Sequence, residues 1–533
     1  MIEGMLTGLS AALSWQGILY VMMGCLVGTF IGMLPGLGPI TAIALMIPVT
    51  YSIDPSYGMI LMAGVYYGAI FGGSTSSILI NAPGVAGTVA TSFDGYPLAR
   101  KGQAGKALAL AAYASFSGGT LAAVFLMVAA PLLAKVSLSF WSADYFALMV
   151  MGLTAIAAFS NRGQFLKAVM MTLLGIMLAT VGIDPSSGAE RFTFGSSDLL
   201  DGISFLLVAM SIFALSEALS GVLRPDHKKL PGAILNVASA TARRVAARDG
   251  GHKKAPAPSS KMGDLRLSRE EVKDVVPVIG RSSILGFLIG ILPGAGATIA
   301  SFLAYATERN LARGEKKKQF GQGSLRGLAA PETANNAACT GSFVPLLTLG
   351  IPGSGTTAVM LGALIAYGLQ PGPLLMHDNP DVFWAVIMSM YVGNVVLLFL
   401  NLPMIPYIAK TLALPKPLLT VLILFFSLIG VYLVSFNTFD LYLMVGFAVL
   451  SLILRQLNFP MAPLILGFIL GGMLESNFRR AMMIADGSIA FLWERPLTLC
   501  ITLVSLALLL VPLMDFLRGL KRPAPEAELS DNL

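Results

Sequence analysis

The sequence predicts an all-α polytopic membrane protein with about 10–12 membrane segments. Its 533 residues are 56% hydrophobic and only 12% charged, whereas soluble domains carry about 25% charged residues. Pro-Gly motifs, paired between two halves of the chain, interrupt several apolar segments and predict broken or re-entrant helices. With their uncharged flanks, seven apolar runs reach the roughly 20 residues that a spanning helix needs: 18–34, 108–133, 145–159, 203–219, 386–400, 418–435 and 499–514.

The distribution of charge predicts the domain organisation. No Lys or Arg precedes Arg100, so the amino terminus lacks the basic region of a cleavable signal, and we expect the first apolar segment to remain in the mature protein. Residues 224–273 hold 12 Lys/Arg against 5 Asp/Glu. They predict a basic cytoplasmic linker. This linker would join a first membrane repeat (1–223) to a second, inverted repeat (274–518), which a cytoplasmic tail (519–533) follows.

Two pairs of related motifs indicate an internal repeat. Gly-Met-Leu-Pro-Gly-Leu-Gly at 32–38 recurs as Gly-Ile-Leu-Pro-Gly-Ala-Gly at 290–296. Downstream of each copy lies another Pro-Gly element, at 76–84 in the first half and at 345–355 in the second. The two elements are further apart in the second half, where the long loop 307–327 replaces the short loop 51–56.

Loop charges predict that the two halves have opposite orientations in the membrane. Loop 51–56 has no basic residue, whereas loop 307–327 has six; after the second element, 94–106 has three and 370–380 has none. Since basic loops favour the cytoplasmic side, equivalent loops are expected on opposite sides. This pattern is typical of inverted-topology repeats.

The Pro-Gly breaks predict a binding site for small organic anions. A break removes backbone hydrogen bonds that lipid cannot replace, so it needs protein, water or a ligand nearby. One break could be a simple kink, but four paired breaks flanked by Ser, Thr and Asn favour a site. A helix that restarts after a break directs N–H groups and its positive dipole end into the gap, which suits a carboxylate. The candidate substrate-binding residues are Pro35, Gly36, Gly38, Ser76, Ser77, Asn81, Pro83, Gly84, Thr88, Pro293, Gly294, Gly296, Asn335, Asn336, Thr348, Pro352, Gly353, Ser354 and Thr356, and the hydroxyls of Ser74, Thr75 and Thr357 lie among them.

Segment 329–337 is a polar patch in an apolar stretch. Pro331 and Glu332 suit the first turn of a helix, which is a structural explanation for both. The functional alternative places Glu332 in an ion or proton site, together with Asn335 and Thr348. The coupling ion is expected to be Na⁺ or H⁺, with no catalytic residue, no cofactor and no metal other than Na⁺.

Other features predict no further chemistry. The chain contains no phosphate-binding loop, nucleophile elbow or zinc-protease motif. A membrane enzyme would need a convergent acid, base, nucleophile or metal, which Glu332 alone does not provide. A purely structural scaffold would not need four matched helix breaks. The charges of the 184–198 loop are expected to be solvated.

Five longer runs resemble the signature regions of the large subunit of tripartite tricarboxylate transporters. They are Tyr-Tyr-Gly-Ala at 66–69, Asp-Gly-Tyr-Pro at 94–97, Ala-Pro-Glu at 330–332 with Asn335-Asn336, Leu-Thr-Leu-Gly-Ile-Pro-Gly at 347–353, and Gly-Leu-Gln-Pro-Gly-Pro at 368–373. With the hydropathy profile, the resemblance covers essentially the whole chain. It implies that the Pro-Gly elements and the adjacent Asn81, Asn335, Asn336 and Thr348 form the translocation site.

The resemblance also implies partners and a mechanism. The partners are a small four-helix membrane subunit and a periplasmic solute-binding protein, in a bacterial inner membrane. The activity is uptake of citrate-like or other carboxylates, driven by a cation gradient rather than by ATP, with an elevator-type motion. Val85-Ala86-Gly87 departs from the family pattern, which has a polar or acidic residue after Pro-Gly. This difference favours a less charged or aromatic carboxylate over citrate. The alternative within transport is a stand-alone carboxylate/cation symporter without a binding protein.

Overall fold

The chain is almost entirely helical. The computed structural model describes residues 2–34, 37–158, 164–184, 186–223, 265–292, 296–402 and 416–520. The strands among these residues are one antiparallel pair, β1 (Gly182–Ile183) and β2 (Glu190–Arg191). The predicted all-α class is therefore confirmed. Most of the predicted linker, residues 224–264, lies outside the described residues, and the next helix begins at Arg269.

The described part of the first half contains helices α1 to α10. Their bounds are α1 Ile2–Leu13, α2 Trp15–Met33, α3 Gly38–Thr50, α4 Pro55–Ile80, α5 Val89–Leu98, α6 Ala104–Ser137, α7 Ser142–Ala158, α8 Phe165–Ala179, α9 Phe205–Ala209 and α10 Ser216–Leu223. Shorter 3₁₀ turns lie at Ala86–Thr88 and Ser197–Leu199, and π-helical turns at Ala99–Gln103 and Met210–Leu215.

The described part of the second half contains helices α11 to α23. Their bounds are α11 Arg269–Ile291, α12 Gly296–Leu311, α13 Glu315–Lys318, α14 Leu325–Gly341, α15 Phe343–Leu349, α16 Gly355–Ala366, α17 Leu375–Asp378, α18 Pro380–Asn401, α19 Lys416–Ser435, α20 Thr438–Gln456, α21 Ala462–Ile484, α22 Phe491–Glu494 and α23 Pro496–Leu520.

Several of these helices are long and apolar enough to cross a membrane. Within the described residues there are six such segments: Trp15–Met33, Ala86–Ser137, Arg269–Ile291, Pro380–Asn401, Thr438–Gln456 and Pro496–Met514. Seven shorter apolar helices accompany them. The protein is therefore a multi-pass membrane protein.

The helices group into two compact units. The first unit lies within residues 1–138 and 203–458, and the second within 139–202 and 459–533. The polar candidates of the sequence belong to the first unit. Its most buried helices are α4, which is buried almost continuously from Gly58 to Ile78, and α14, which is buried from Gly327 to Gly341. Both are rich in Gly and Ala, which lets neighbouring backbones approach closely.

Glycines make corresponding contacts in the two halves of the first unit. A methyl group on Gly28 or Gly32 of α2 would lie 2.2 or 2.1 Å from a backbone carbonyl oxygen of α4. On Gly286 or Gly290 of α11 it would lie 2.4 or 2.3 Å from a carbonyl oxygen of α14. Since the motifs at 32–38 and 290–296 begin with Gly32 and Gly290, the related sequences pack their preceding helices in the same way. The orientation of these halves in a membrane stays a prediction.

The second unit consists of α7, α8, β1, β2 and α21 to α23. Its closest helix pair is α8 with α21, where a methyl group on Gly175 would lie 2.0 Å from the Leu464 carbonyl oxygen and one on Gly467 would lie 2.2 Å from that of Thr172. The charges of the 184–198 loop were expected to be solvated, but Asp184 is only 6% exposed. Charged side chains of α21, distant in sequence, contact Asp184 and Arg191 and cover the Asp184 carboxylate.

Asp184 is held by an ion-pair network within the second unit. Arg479 contacts it at 2.7 Å and Arg191 at 3.7 Å, and both arginines also bind Glu475, at 2.6 and 2.8 Å. The Ser186 backbone N–H donates to it at 2.8 Å. Hydrogen bonds from Ser186 and Arg479 lower the pKa of Asp184 from 3.8 to about 2.

The lowered pKa gives a testable pH dependence. Because the folded-state pKa is depressed, ionised Asp184 stabilises the fold above its ordinary pKa, and this contribution is lost as the pH falls from 3.8 towards 2. We expect Asp184→Asn to lower the thermal-unfolding midpoint by a few degrees at neutral pH. The difference from wild type should disappear at the acid end of that interval. Asp201→Asn, a change at an exposed position just after the loop, is the control; an equal effect of both variants would contradict the network's role.

Candidate functional site

The first break (residues 81–88) lies between α4 and α5. Helix α4 ends at Asn81, whose left-handed conformation (φ 52°) explains why Asn rather than a branched residue occupies this end. Pro83 and Gly84 follow, and the chain restarts through the 3₁₀ turn. The Ser77 hydroxyl of α4 donates to the Thr88 hydroxyl at 2.9 Å, and Thr88 donates to the Val85 carbonyl at 2.9 Å. These bonds fix the shape of the break.

The second break (residues 350–354) lies between α15 and α16. Helix α15 ends at Gly350 in the same left-handed conformation (φ 67°), and Pro352 and Gly353 follow. Ser354 begins α16 with a capping box: its hydroxyl accepts from the Thr357 N–H, and the Thr357 hydroxyl accepts from the Ser354 N–H. The backbone N–H groups of Ser354 and Thr357, which a broken helix would otherwise present to a ligand, are therefore already hydrogen-bonded within the protein.

For the other two Pro-Gly tips, the structure describes the residues on either side, up to 34 and from 37 in the first half, and up to 292 and from 296 in the second. Pro35, Gly36, Pro293 and Gly294 lie outside the described residues. Gly38 and Gly296 follow these tips with φ of +64° and +62°, a conformation that favours glycine.

The breaks meet in pairs. A methyl group on Gly84 would lie 1.8 Å from the Gly32 carbonyl oxygen, and one on Gly38 would lie 3.9 Å from that of Gly84. In the second half, a methyl group on Gly353 would lie 3.1 Å from the Gly290 carbonyl oxygen, and Gly296 approaches the Ser354 side chain. The described residues that flank the first tip therefore lie against the first break, and those that flank the second tip lie against the second break.

The polar patch of the sequence lies in the middle of α14. Pro331 was expected to start a helix, but α14 begins at Leu325, six residues earlier, and this prediction was wrong. The Ser324 hydroxyl caps the helix by accepting from the Gly327 N–H at 3.1 Å. The side chains of Glu332, Asn335 and Asn336 are fully buried. Glu332 therefore does not serve as a first-turn charge.

Three hydroxyl groups surround the Glu332 carboxylate. Ser74 of α4 donates to Oε2 at 2.7 Å, Ser115 of α6 donates to the same oxygen at 3.0 Å, and Thr91 of α5 donates to Oε1. No Lys, Arg or His of the described chain forms an ion pair with this carboxylate. Hydrogen bonds partly offset the cost of burying a carboxylate, but they leave its charge uncompensated.

The neighbouring amides have unused hydrogen-bonding capacity. Neither Oδ1 nor Nδ2 of Asn335 has a partner within the described chain, and Asn336 uses only Nδ2, which donates to the Glu332 carbonyl at 3.0 Å. Asn335 lies against Gly87 of the first break: a methyl group added to Gly87 would be only 2.5 Å from Asn335 Oδ1. Buried polar groups are normally paired, so these amides have hydrogen-bonding capacity that the described chain does not use.

Other candidates bond within their own segment. The Ser76 hydroxyl donates to the Gly73 carbonyl and the Thr348 hydroxyl to that of Val344, four residues before it in α15. The structure shows no contact of Thr348 with Glu332 or Asn335. Thr356 is buried in the first turn of α16.

Sequence reasoning did not select Thr91 and Ser115 as site residues. Thr91 lies three residues before the Asp-Gly-Tyr-Pro run, and Ser115 is an isolated hydroxyl in the apolar run 108–133. An isolated hydroxyl in an apolar run was the available signal for a site residue. This signal is weak, because such hydroxyls often bond to a backbone carbonyl of their own helix instead.

Asp94 fixes the start of the helix that carries Glu332. One of its oxygens accepts backbone N–H groups of Gly321 and Gly323 at 2.8 Å and of Ser324 at 2.7 Å. This contact needs a small neighbour, because a methyl group on Gly327 would lie 2.0 Å from the other oxygen of Asp94. The segment after the first break is thereby tied to α14.

Comparison with known proteins gives a consistent family assignment. The family described as "Tripartite tricarboxylate transporter TctA family" matches residues 18–466. An Agrobacterium vitis protein, "Uncharacterized 52.8 kDa protein in TAR-I ttuC' 3'region", is 39% identical over 519 residues, 97% of each chain. A second from the same organism, "Uncharacterized protein in TAR-II ttuC' 3'region", is 40% identical over 234 residues, 44% of this chain and 96% of its own length. No solved structure matches. The chain therefore belongs to the tripartite tricarboxylate transporter TctA family, a family of transporters and not of enzymes.

Proposed function

We propose that this chain is the permease of a binding-protein-dependent system that imports small organic carboxylates across a bacterial inner membrane, driven by a cation gradient. The observation that carries the proposal is the pair of fully buried, incompletely bonded amides of Asn335 and Asn336, adjacent to the first break. Family membership supports a tricarboxylate-transporter permease; the finer statements are ours.

The proposed substrate site uses neutral donors. Asn335 Nδ2 and the Asn336 amide would face the carboxylate, while the starts of α5 and α16 supply N–H groups and positive dipole ends. Because Gly84 and Gly353 have no side chain, each break can pack closely against the backbone of the helix before its tip. Such a site binds an anion without a fixed positive charge, so the anion can also be released.

The shape of the first break bears on the substrate class. The Val85 side chain packs on Gly73 of α4, where an added methyl group would lie 2.7 Å from it. Gly87 lies next to the Asn335 side chain. This segment offers no charged side chain to a second or third carboxylate. We therefore favour a less charged or aromatic dicarboxylate over citrate.

We further propose that cation binding involves Glu332 with Asn335 and Thr348, and that Na⁺ or H⁺ is the ion. The pairwise contacts of tips and breaks support a mobile element in each half, as an elevator-type motion requires. The proposed partners are a small four-helix membrane subunit and a periplasmic solute-binding protein.

The function can be tested in proteoliposomes that hold this chain and its small subunit. Labelled citrate, succinate and an aromatic dicarboxylate would be supplied with the binding protein outside, with and without an inward Na⁺ or proton gradient. We expect uptake that requires both the gradient and the binding protein. Uptake that ignores the binding protein would instead establish a stand-alone symporter. No uptake of any carboxylate by folded protein would refute transport of organic anions.

A further inference from the structure

The Glu332 carboxylate has a second hydrogen-bonding arrangement available. The Ser74 hydroxyl, which carries a single proton, lies 2.7 Å from Glu332 Oε2 and 3.1 Å from the Ile70 carbonyl oxygen. It can donate to the ionised carboxylate, or donate to the Ile70 carbonyl and accept a hydrogen bond from the protonated carboxyl of Glu332. Hydroxyls can reverse roles in this way, whereas Lys, Arg and backbone N–H groups only donate. The same side chains therefore satisfy both the ionised and the protonated form of Glu332.

Charged groups on the surrounding helices bind other partners. Helices α4, α5, α6, α11 and α12 pack against α14. Several of their titratable side chains, and some of α14 itself, have other partners: Tyr66 with Cys339, Ser342 and Ser354, Tyr67 with Thr340, Asp94 with the 321–324 backbone, Tyr305 with Asp94, Lys106 with Glu271, Arg281 with Glu308, and Arg326 with Asp274. None of these contacts reaches Glu332, so a proton would neutralise a charge that no counter-ion balances.

A small cavity lies beside Ser74 and Ser115, two of the residues that donate to the carboxylate. Its volume is about 10 Å³, and its polar lining residues are Ser74, Thr75, Ser115 and Asn401. A cavity needs about this volume and two to four polar partners to hold one water molecule. Ser74 and Ser115 also donate to Glu332. A water molecule here would contact the same hydroxyls as the carboxylate.

The cavity lies towards one end of its helices. Its α6 residues, from Leu108 to Ser115, belong to the first third of that helix, and Asn401 is the last residue of α18. The sequence places the start of α6 beside the basic loop 94–106, on the expected cytoplasmic side. The cavity therefore lies on the side of Ser74 and Ser115 that is nearer to the expected cytoplasmic end of α6.

We propose that Glu332 is the proton-carrying group of the transport cycle and that it exchanges its proton through the water-sized cavity bounded by Ser74, Ser115 and Asn401. This inference rests on the proposed cation-driven uptake and names its ion. On loading, the carboxylate takes a proton from hydronium, an O–H bond forms and water is left. On release, the bond breaks and the proton returns to water in the cavity. The hydroxyl oxygens of Ser74 and Ser115 lie within hydrogen-bond distance of the carboxylate, at 2.7 and 3.0 Å, so they can orient its proton.

Infrared difference spectroscopy tests the site without requiring transport. The purified chain with its small subunit would be titrated from about pH 5 to about pH 9, a range that includes documented values for buried Glu. We expect wild type to show the C=O stretch of a protonated buried carboxyl, with an amplitude that changes with pH, and Glu332→Gln to lose that component. Spectra of wild type and Glu332→Gln that titrate identically would overturn the proposal.

Proteoliposomes test the route and the coupling. In Na⁺-free buffer, with a pH dye inside, we expect wild type to carry protons inward with the carboxylate. Asn401→Leu should slow proton entry and uptake together by about tenfold, equivalent to 1.4 kcal/mol, because it fills the cavity. Ser389→Ala, a buried hydroxyl on the same helix that bonds to the Val386 carbonyl, should behave as wild type. Uptake that requires Na⁺ and carries no protons would overturn proton coupling while leaving the proposed function intact. Absence of all uptake would overturn both.

Discussion

Replacing Gly84 with alanine is expected to cost the protein both stability and transport. The added methyl group would lie 1.8 Å from the Gly32 carbonyl oxygen and 3.3 Å from the Cα atom of Gly73. Both obstacles are backbone atoms, so no side chain can rotate to make room. Overpacking a close contact typically costs about 1–3 kcal/mol, occasionally more. We expect a lower thermal-unfolding midpoint in detergent and loss of carboxylate uptake.

Two further glycines serve as graded controls. Gly353→Ala meets the Ser342 side chain at 2.9 Å and the Gly290 carbonyl at 3.1 Å, so a smaller effect is expected. Gly280→Ala, within α11, meets no atom within 4 Å and should be tolerated or slightly stabilising, because Ala favours a helix over Gly. If Gly84→Ala were as stable and active as Gly280→Ala, the tip and the break would not be packed as described.

The helix breaks were predictable because their determinants are local. Proline cannot continue a backbone hydrogen-bond ladder, and glycine accepts conformations and approaches that other residues do not. The described helices α4 and α15 accordingly end within a few residues of Pro83 and Pro352. The recurrence of Gly32 and Gly290 also predicted related surroundings, and the carbonyl oxygens of these two residues lie against Gly84 and Gly353 of the breaks. These inferences needed only residue type and spacing.

The Glu332 environment was less predictable because it is assembled from distant segments. Its three donors come from α4, α5 and α6, between 217 and 258 residues away in the sequence. No spacing rule links them. The position of Glu332 within its helix was also mistaken, because Pro331 suggested a helix start, whereas the Ser324 cap sets the start earlier. The Asp184 network was missed for the same reason, since Arg479 lies on a remote helix.

Asn335→Ala is expected to abolish most carboxylate uptake while leaving the protein as stable as wild type. In an ordinary structural role, a buried amide has partners, and its removal leaves them unsatisfied at a cost of about 1–3 kcal/mol. Asn335 has no such partner within the described chain. Its removal therefore leaves no other group without a hydrogen bond, and it eliminates two buried polar atoms that were themselves unpaired. A lost hydrogen bond to a charged ligand is worth about 1.5–3 kcal/mol, which corresponds to more than tenfold in affinity. Uptake rates in proteoliposomes and the thermal-unfolding midpoint would be measured on the same preparation.

Asn394→Ala provides the matched comparison that separates function from burial. Asn394 is also fully buried and also has both amide atoms unpaired among the described residues, but it packs against Gly119 of α6, and no helix break touches it. If unpaired amides mattered only through their burial, the two variants would change stability and uptake alike. If Asn335 binds the transported anion, only its variant loses uptake, and added substrate raises the unfolding midpoint of Asn394→Ala but not of Asn335→Ala, because a ligand stabilises only a fold that binds it. Equal uptake by the two variants would remove Asn335 from the binding site.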